Sequence, residues 1–135
     1  MSMNDEEAVM AVHREFYRAF TTGDVQAMDA LWARDMPLTC IHPGGPVLES
    51  RAVILDSWAA ILAGPERPSI RAQKVKVFIL GDTAFVTCYE RLPRNCLAAT
   101  NVFAREGDRW KLVLHQSSPG PTLAPGREDR PLVLH

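Results

Sequence analysis

The sequence predicts a single α+β domain, with three helices packed on a curved, mostly antiparallel sheet that encloses one pocket. Three observations predict it. Apolar residues recur at helical spacing in the first half of the chain. Four β-rich runs joined by short Gly, Pro and Asn connections fill the second half. The 135-residue length suits one ordinary domain.

The first helix carries Val9, Val12, Phe16 and Phe20 on one face, and Glu6, Glu7, Arg14 and Arg18 on the others. Asn4 followed by Glu7 has the form of a capping box, and Gly23 suits the left-handed cap that ends the helix. Asp24 caps a second, shorter helix bearing Val25, Met28, Leu31 and Trp32. A short extended run over 37–42 is broken by Pro43-Gly44-Gly45-Pro46. Ser50 then opens a third helix with Ile54, Leu55, Trp58, Ile61 and Leu62, stopped at Gly64-Pro65.

Runs over 70–80, 83–92, 97–106 and 109–118 read as strands of an antiparallel meander, because parallel neighbours would need long crossovers. Val75, Val77 and Ile79 share one face, and Phe78 and Leu80 the other. A strand apolar on both faces implies a sheet covered on both sides, by the helices and by a second subunit, hence a homodimer through the sheet. The domain is read as residues 1–118. The segment 119–135, with four prolines and two glycines, is read as an arm that is extended or docked on a partner.

Composition excludes several classes. A hydrophobic fraction of 47% argues against disorder, and a net charge of −1 leaves no electrostatic footprint for nucleic acid or an anionic membrane. No apolar run approaches the roughly 20 residues of a membrane span, and the acidic N-terminus has no secretory character, so a cytoplasmic protein is expected. Cys40, Cys88 and Cys96 are odd in number and lack metal-ligand spacing, and are read as reduced thiols.

The order of elements resembles the nuclear transport factor 2-like superfamily, and its SnoaL-like branch in particular. The resemblance rests on 16–24 (FYRAFTTGD), Ala30-Leu31-Trp32, 40–44 (CIHPG), Ser57-Trp58 and 107–118 (GDRWKLVLHQSS). It implies a cystatin-like cone, in which the sheet wraps the first helix and leaves a cavity for a small, mostly apolar ligand. The superfamily holds ketosteroid isomerase, dehydratases and cyclases, but also non-catalytic association domains, so fold alone does not select a reaction.

Two histidines are the catalytic candidates. His42 stands where ketosteroid isomerase-like members have an Asp-Pro pair whose carboxylate is the base. A neutral imidazole can accept a proton in its place. His115, on the last strand, is the second acid/base candidate; alternation puts it on one face with Lys111, Val113 and Ser117, opposite Trp110, Leu112, Leu114 and Gln116. Phe16, Tyr17, Trp32, Trp58, Tyr89 and Asn101 are the candidate pocket lining. Tyr17 lies one residue from the isomerase tyrosine position, which falls on Phe16, and a helical residue turns the side chain by about 100°. Classical ketosteroid isomerisation is therefore not expected. Glu90 and Arg91 read as surface or interface charges. No cofactor motif and no third metal ligand appears. Two readings stay open: a cofactor-independent isomerase, dehydratase or cyclase using His-centred proton transfer, and a non-catalytic dimerisation or interaction module.

Overall fold

The computed structural model describes residues 3–65 and 69–122. Helix α1 (Asp5–Thr22) opens with the expected capping box, in which the Asn4 side chain accepts from the Glu7 N–H and Glu7 returns the bond. It ends at Gly23, whose φ of 73° is a left-handed geometry that a side chain disfavours. Asp24 caps α2 (Val25–Leu31), and Ser50 caps α3 (Arg51–Leu62), each by accepting a backbone N–H of the first turn.

The sheet is formed by β1 (Thr39–Ile41), β2 (Val47–Leu48), β3 (Arg71–Leu80), β4 (Thr83–Arg91), β5 (Cys96–Glu106) and β6 (Arg109–Pro119), in spatial order β2-β1-β6-β5-β4-β3. Strands β3 to β6 are the predicted meander. Strand β2 carries no sequence signal of its own: two residues after a turn are held only by pairing with β1. Among the described strands, β1 pairs with β6 in parallel, with Cys40 opposite His115. The intervening chain supplies the crossover that a parallel pair requires.

Two bulges bend the sheet. On β3 the register slips between Gln73 and Lys76, and Lys74 takes a φ of 54°. On β6, Leu114 pairs with Val102 and Leu112 with Phe103, so Val113 is an extra residue. Strict alternation would place His115 on the face opposite Trp110 and Leu112. The bulge resets that parity, and Trp110, Leu112, His115 and Ser117 are all buried on the inner face. The expected sharing of a face by His115 and Ser117 holds, whereas their separation from Trp110 and Leu112 is corrected.

The core lies between the helices and this inner face, around Val9, Phe16, Met28, Trp32, Ile54, Trp58, Val86, Phe103 and Leu112. On the outer face Phe78 and Leu80 remain exposed, and Phe78 stacks on Phe85 with ring centroids 4.6 Å apart. Of the predicted arm, 119–122 are described, with the Gly120 N–H donating to the Cys96 carbonyl. Its remainder, with the apolar Leu132-Val133-Leu134 end, lies outside the described residues. Among the described residues no helix is long and apolar enough to cross a membrane.

Burial makes a clear prediction. Phe16→Ala is expected to lower unfolding free energy by about 3–5 kcal/mol, because a fully buried ring leaves a cavity. Val53→Ala, on the exposed face of α3, should stay within about 0.5 kcal/mol. Urea unfolding of both variants checks the contrast.

Candidate functional site

The interior is not uniformly apolar. Helix α1 turns His13, Phe16 and Tyr17 toward the sheet, at spacings of three and four residues that share a face. The sheet answers with Cys88 and Glu90 from β4, Asn101 from β5, and His115 and Ser117 from β6, all buried. Asn101 and His115 are direct cross-strand partners.

Hydrogen bonds join these groups into one network. The Asn101 side-chain oxygen lies 2.6 Å from His115 Nδ1. Its Nδ2 lies 3.1 Å from His13 Nε2 and donates to the Tyr17 hydroxyl at 3.2 Å. The Tyr17 hydroxyl donates in turn to Glu90 Oε2 at 2.7 Å and lies 3.4 Å from Cys88 Sγ. Ser117 bonds the same carboxyl. A buried polar cluster of this size is costly unless its members satisfy one another, and these do so across α1 and three strands.

His42 completes the picture from the edge. It follows β1 by one residue and lies two residues past Cys40, on the same face, and Cys40 is opposite His115 in the parallel pair. The two imidazoles therefore approach, with ring centroids 6.5 Å apart. His42 is half-buried, and its Nε2 lies 2.9 Å from the Ser57 hydroxyl of α3. The Trp58 ring packs against both, at 4.9 Å from His42 and 5.6 Å from His115, and Phe16 meets His115 at 5.0 Å. The Trp58 indole N–H faces the Cys40 thiol without closing a hydrogen bond of ordinary geometry.

Burial sets the charge states. It lowers His115 to about 3, with smaller contributions from His42 and His13. It lowers His13 to about 4, Arg14 adding to the effect, and lowers His42 as well. All three rings are neutral at pH 7. Burial also raises the Glu90 carboxyl above the usual range, against the hydrogen bonds from Tyr17 and Ser117. Cys40 and Cys88 are pushed up to about 12, so both remain thiols and are poor nucleophiles. No cluster of three or more metal-ligating side chains occurs among the described residues.

The structure thus brings together His42, His115, Phe16, Tyr17, Trp58 and Asn101. Trp32 is fully buried, but among the described residues its ring makes none of the ring contacts around the histidines. Tyr89 sits on the outer face of β4, where it lines a groove of about 480 Å³ with Lys76, Thr87, Thr100 and Gln116. The expectation that Tyr89 joins the interior pocket is corrected: strand alternation gives the inside to Cys88 and Glu90. Glu90, expected at the surface, is 1% exposed. Tyr17 reaches the interior despite its one-residue offset, since the buried stripe of α1 admits both Phe16 and Tyr17. His13 and Glu90 went unrecognised as site residues. The signal for each was present: position 13 lies between Val9 and Phe16 in the buried stripe, and position 90 continues the alternation of Ala84, Val86 and Cys88.

Comparison with known proteins agrees with this architecture. The SnoaL-like domain family matches residues 9–122. The chain belongs to the SnoaL-like family. Among solved structures, it is 36% identical to a protein from Streptomyces avermitilis named a "putative dehydratase from the NTF2-like family". That match covers 87% of this chain and 97% of the other, with a TM-score of 0.79. A second, from Thiobacillus denitrificans, is named a "putative calcium/calmodulin-dependent protein kinase type II association domain"; it is 30% identical over 83% of this chain and 94% of its own, with a TM-score of 0.72. A cystatin-like protein from Caulobacter vibrioides shares the fold at 11% identity over 86% of this chain and 89% of its own, with a TM-score of 0.78. Comparison with curated proteins gives no match.

The neutral interior makes stability pH-dependent in a predictable sense. Below pH 6.5 the unfolded chain takes up protons that the folded His13 refuses until about pH 4. Stability should therefore fall as pH drops through that window, the His13 part approaching about 3 kcal/mol at pH 4. Glu90 acts oppositely: its raised folded value favours the fold below pH 4.5, a contribution lost as pH rises through that value. His13→Gln, which keeps an acceptor for Asn101 but does not titrate, should flatten the acid limb of a urea-unfolding series.

Proposed function

We propose that this SnoaL-like protein binds a small, mostly apolar molecule in its cone and acts in the cytoplasm as a cofactor-independent dehydratase. The observation that carries the reading is the convergence of His42 and His115, two neutral imidazoles from distant segments, 6.5 Å apart on the inner face. The likeness to the protein named a putative dehydratase supports the choice among proton-transfer reactions.

The roles follow from burial. His115 cannot take up a second proton at neutral pH, so it serves as a hydrogen-bond acceptor that orients the substrate. His42, half-buried and less perturbed, is the proton carrier. Its lone pair removes the proton next to an activating group; the C–H electrons become the new C=C bond as the adjacent C–O bond breaks. The departing hydroxide takes the same proton from His42, and water leaves. Tyr17 is committed to Glu90 and is not free to stabilise an oxyanion. The site therefore suits a substrate whose own conjugation stabilises the negative charge that develops on carbon as the C–H bond breaks.

A thermal-shift screen for ligands, followed by absorbance of the conjugated product, tests this. His42→Ala should lower kcat by 10²–10⁴-fold with little change in melting temperature. His115→Ala should act mainly on KM. If neither variant changes binding or turnover of any hit, the reading is wrong.

A second reading is a non-catalytic association module, favoured by the relative named an association domain and by the exposed Phe78 and Leu80. Both readings include a homodimer through the outer face of the sheet. Light scattering should show a dimer, and Leu80→Glu should shift it to monomer; a monomeric wild type would sink the dimer in either case.

A further inference from the structure

The hydrogen bonds around the two histidines decide which nitrogen of each ring carries the proton. The Ser57 hydroxyl owns one hydrogen and lies 2.6 Å from the Ile54 carbonyl oxygen. Two oxygens approach that closely only with a hydrogen between them, so Ser57 donates to Ile54. It can then meet His42 Nε2, 2.9 Å away, only as an acceptor. His42 must carry its proton on Nε2. The Cys40 sulfur, 3.7 Å from the same nitrogen, is a weak second acceptor and leaves the assignment unchanged.

At the other ring the proton is fixed by Asn101. Tyr17 commits its one hydroxyl proton to Glu90. Asn101 must therefore present its N–H₂ group to Tyr17 and its oxygen to His115. That oxygen can only accept, so His115 carries its proton on Nδ1. Asn101 also donates to His13 Nε2, which puts the His13 proton on Nδ1. Neither His42 Nδ1 nor His115 Nε2 has a hydrogen-bond partner among the described residues.

We propose that Ser57 and Asn101 are positioning residues that hold His42 as the Nε2–H form and His115 as the Nδ1–H form, so that the pair presents two lone pairs and takes its ligand as a hydrogen-bond donor, through a hydroxyl group. The inference rests on the reading that these histidines form the ligand site, and it narrows the ligand class. A ketone or an ether finds no uncommitted N–H on either ring, since His42 Nε2–H is taken by Ser57 and His115 Nδ1–H by Asn101, whereas an alcohol or phenol finds an acceptor on each. The side chains facing the pair are Phe16, Trp58, Cys40, Ser57 and Asn101, with Glu90 reached only through Tyr17. None of these supplies a positive charge that would compete for the lone pairs.

Nitrogen-15 NMR of the labelled full chain at pH 7.5 reads the tautomers without any ligand. Resonances are assigned by difference from the His42→Gln and His115→Gln proteins. The expected result is a pyridine-type signal at His42 Nδ1 and at His115 Nε2, each a single dominant form. The reverse pattern at either ring, or averaging between forms, overturns the proposal. Ser57→Ala should let His42 sample both tautomers, and Ser57→Thr should restore one; an unchanged His42 in Ser57→Ala removes Ser57 from the account. Phenol and anisole, isosteric apart from the donor, then test the ligand class. Phenol, with its single O–H, should move at least one of the two pyridine-type resonances and anisole should move neither; an equal response, or none to phenol, overturns that part. Tautomers found as stated but no His42-dependent turnover of any screened hit would sink the dehydratase reading alone. Turnover that needs His42 in a protein with averaged tautomers would do the converse.

Discussion

The Asn101 carboxamide is the junction on which the interior depends. Its oxygen meets His115 across the strand pair, and its nitrogen meets both His13 and Tyr17 of α1. A primary amide has two N–H donors, and this one uses both on a single helix. Those bonds fix the height and rotation of α1 over the sheet more narrowly than apolar packing would, because a slide of one residue would orphan buried polar groups at about 1–3 kcal/mol each. The helix brings Phe16 with it, and Phe16 in turn seats His115 and Trp58.

The same arrangement governs the chemistry. Removing three imidazoles from water keeps them uncharged, and a neutral imidazole is the form with a lone pair to offer. A lysine or arginine among them would have donated to those lone pairs. The carboxyl in the cluster faces a phenol and a serine hydroxyl instead of an imidazole, so it does not charge either ring of the pair. Burial separates the two rings: His115 is deep and fixed, while His42, at the end of a short edge-proximal strand, is half-buried. The outer face of the sheet is independent of all this. Its exposed aromatic and aliphatic side chains alternate with the inner ones, so the proposed association and the proposed ligand binding would use opposite sides of the same strands.

Much of the site was legible residue by residue. His42 before the Pro43-Gly44 break and His115 near the end of the last strand stood out by type and place. Asn101, a candidate for the pocket lining, is fully buried. Phe16 and Trp58 followed from helical spacing. Glu90 was misplaced because a charged residue at a strand end is ordinarily solvated, and burial here depends on partners contributed by α1 and β6, far away in the chain. Tyr89 was misplaced for the complementary reason: alternation showed which residues share its face, but not which face is inside.

By itself, the sequence determined the order of elements and their ends. Asn4, Gly23, Asp24 and Ser50 act through bonds to backbone within a few residues, and such local chemistry can be read along the chain. Period-two alternation likewise separated Val75, Val77 and Ile79 from Phe78 and Leu80. Tertiary structure alone decided the site. The extra residue at Val113 resets the parity of β6, and only pairing with β5 makes it extra. The parallel seating of β1 on β6 carries His42 to His115, and nothing near either histidine in sequence specifies it. Contacts between segments some seventy residues apart are set by the closing of the whole sheet around α1, which no local pattern encodes.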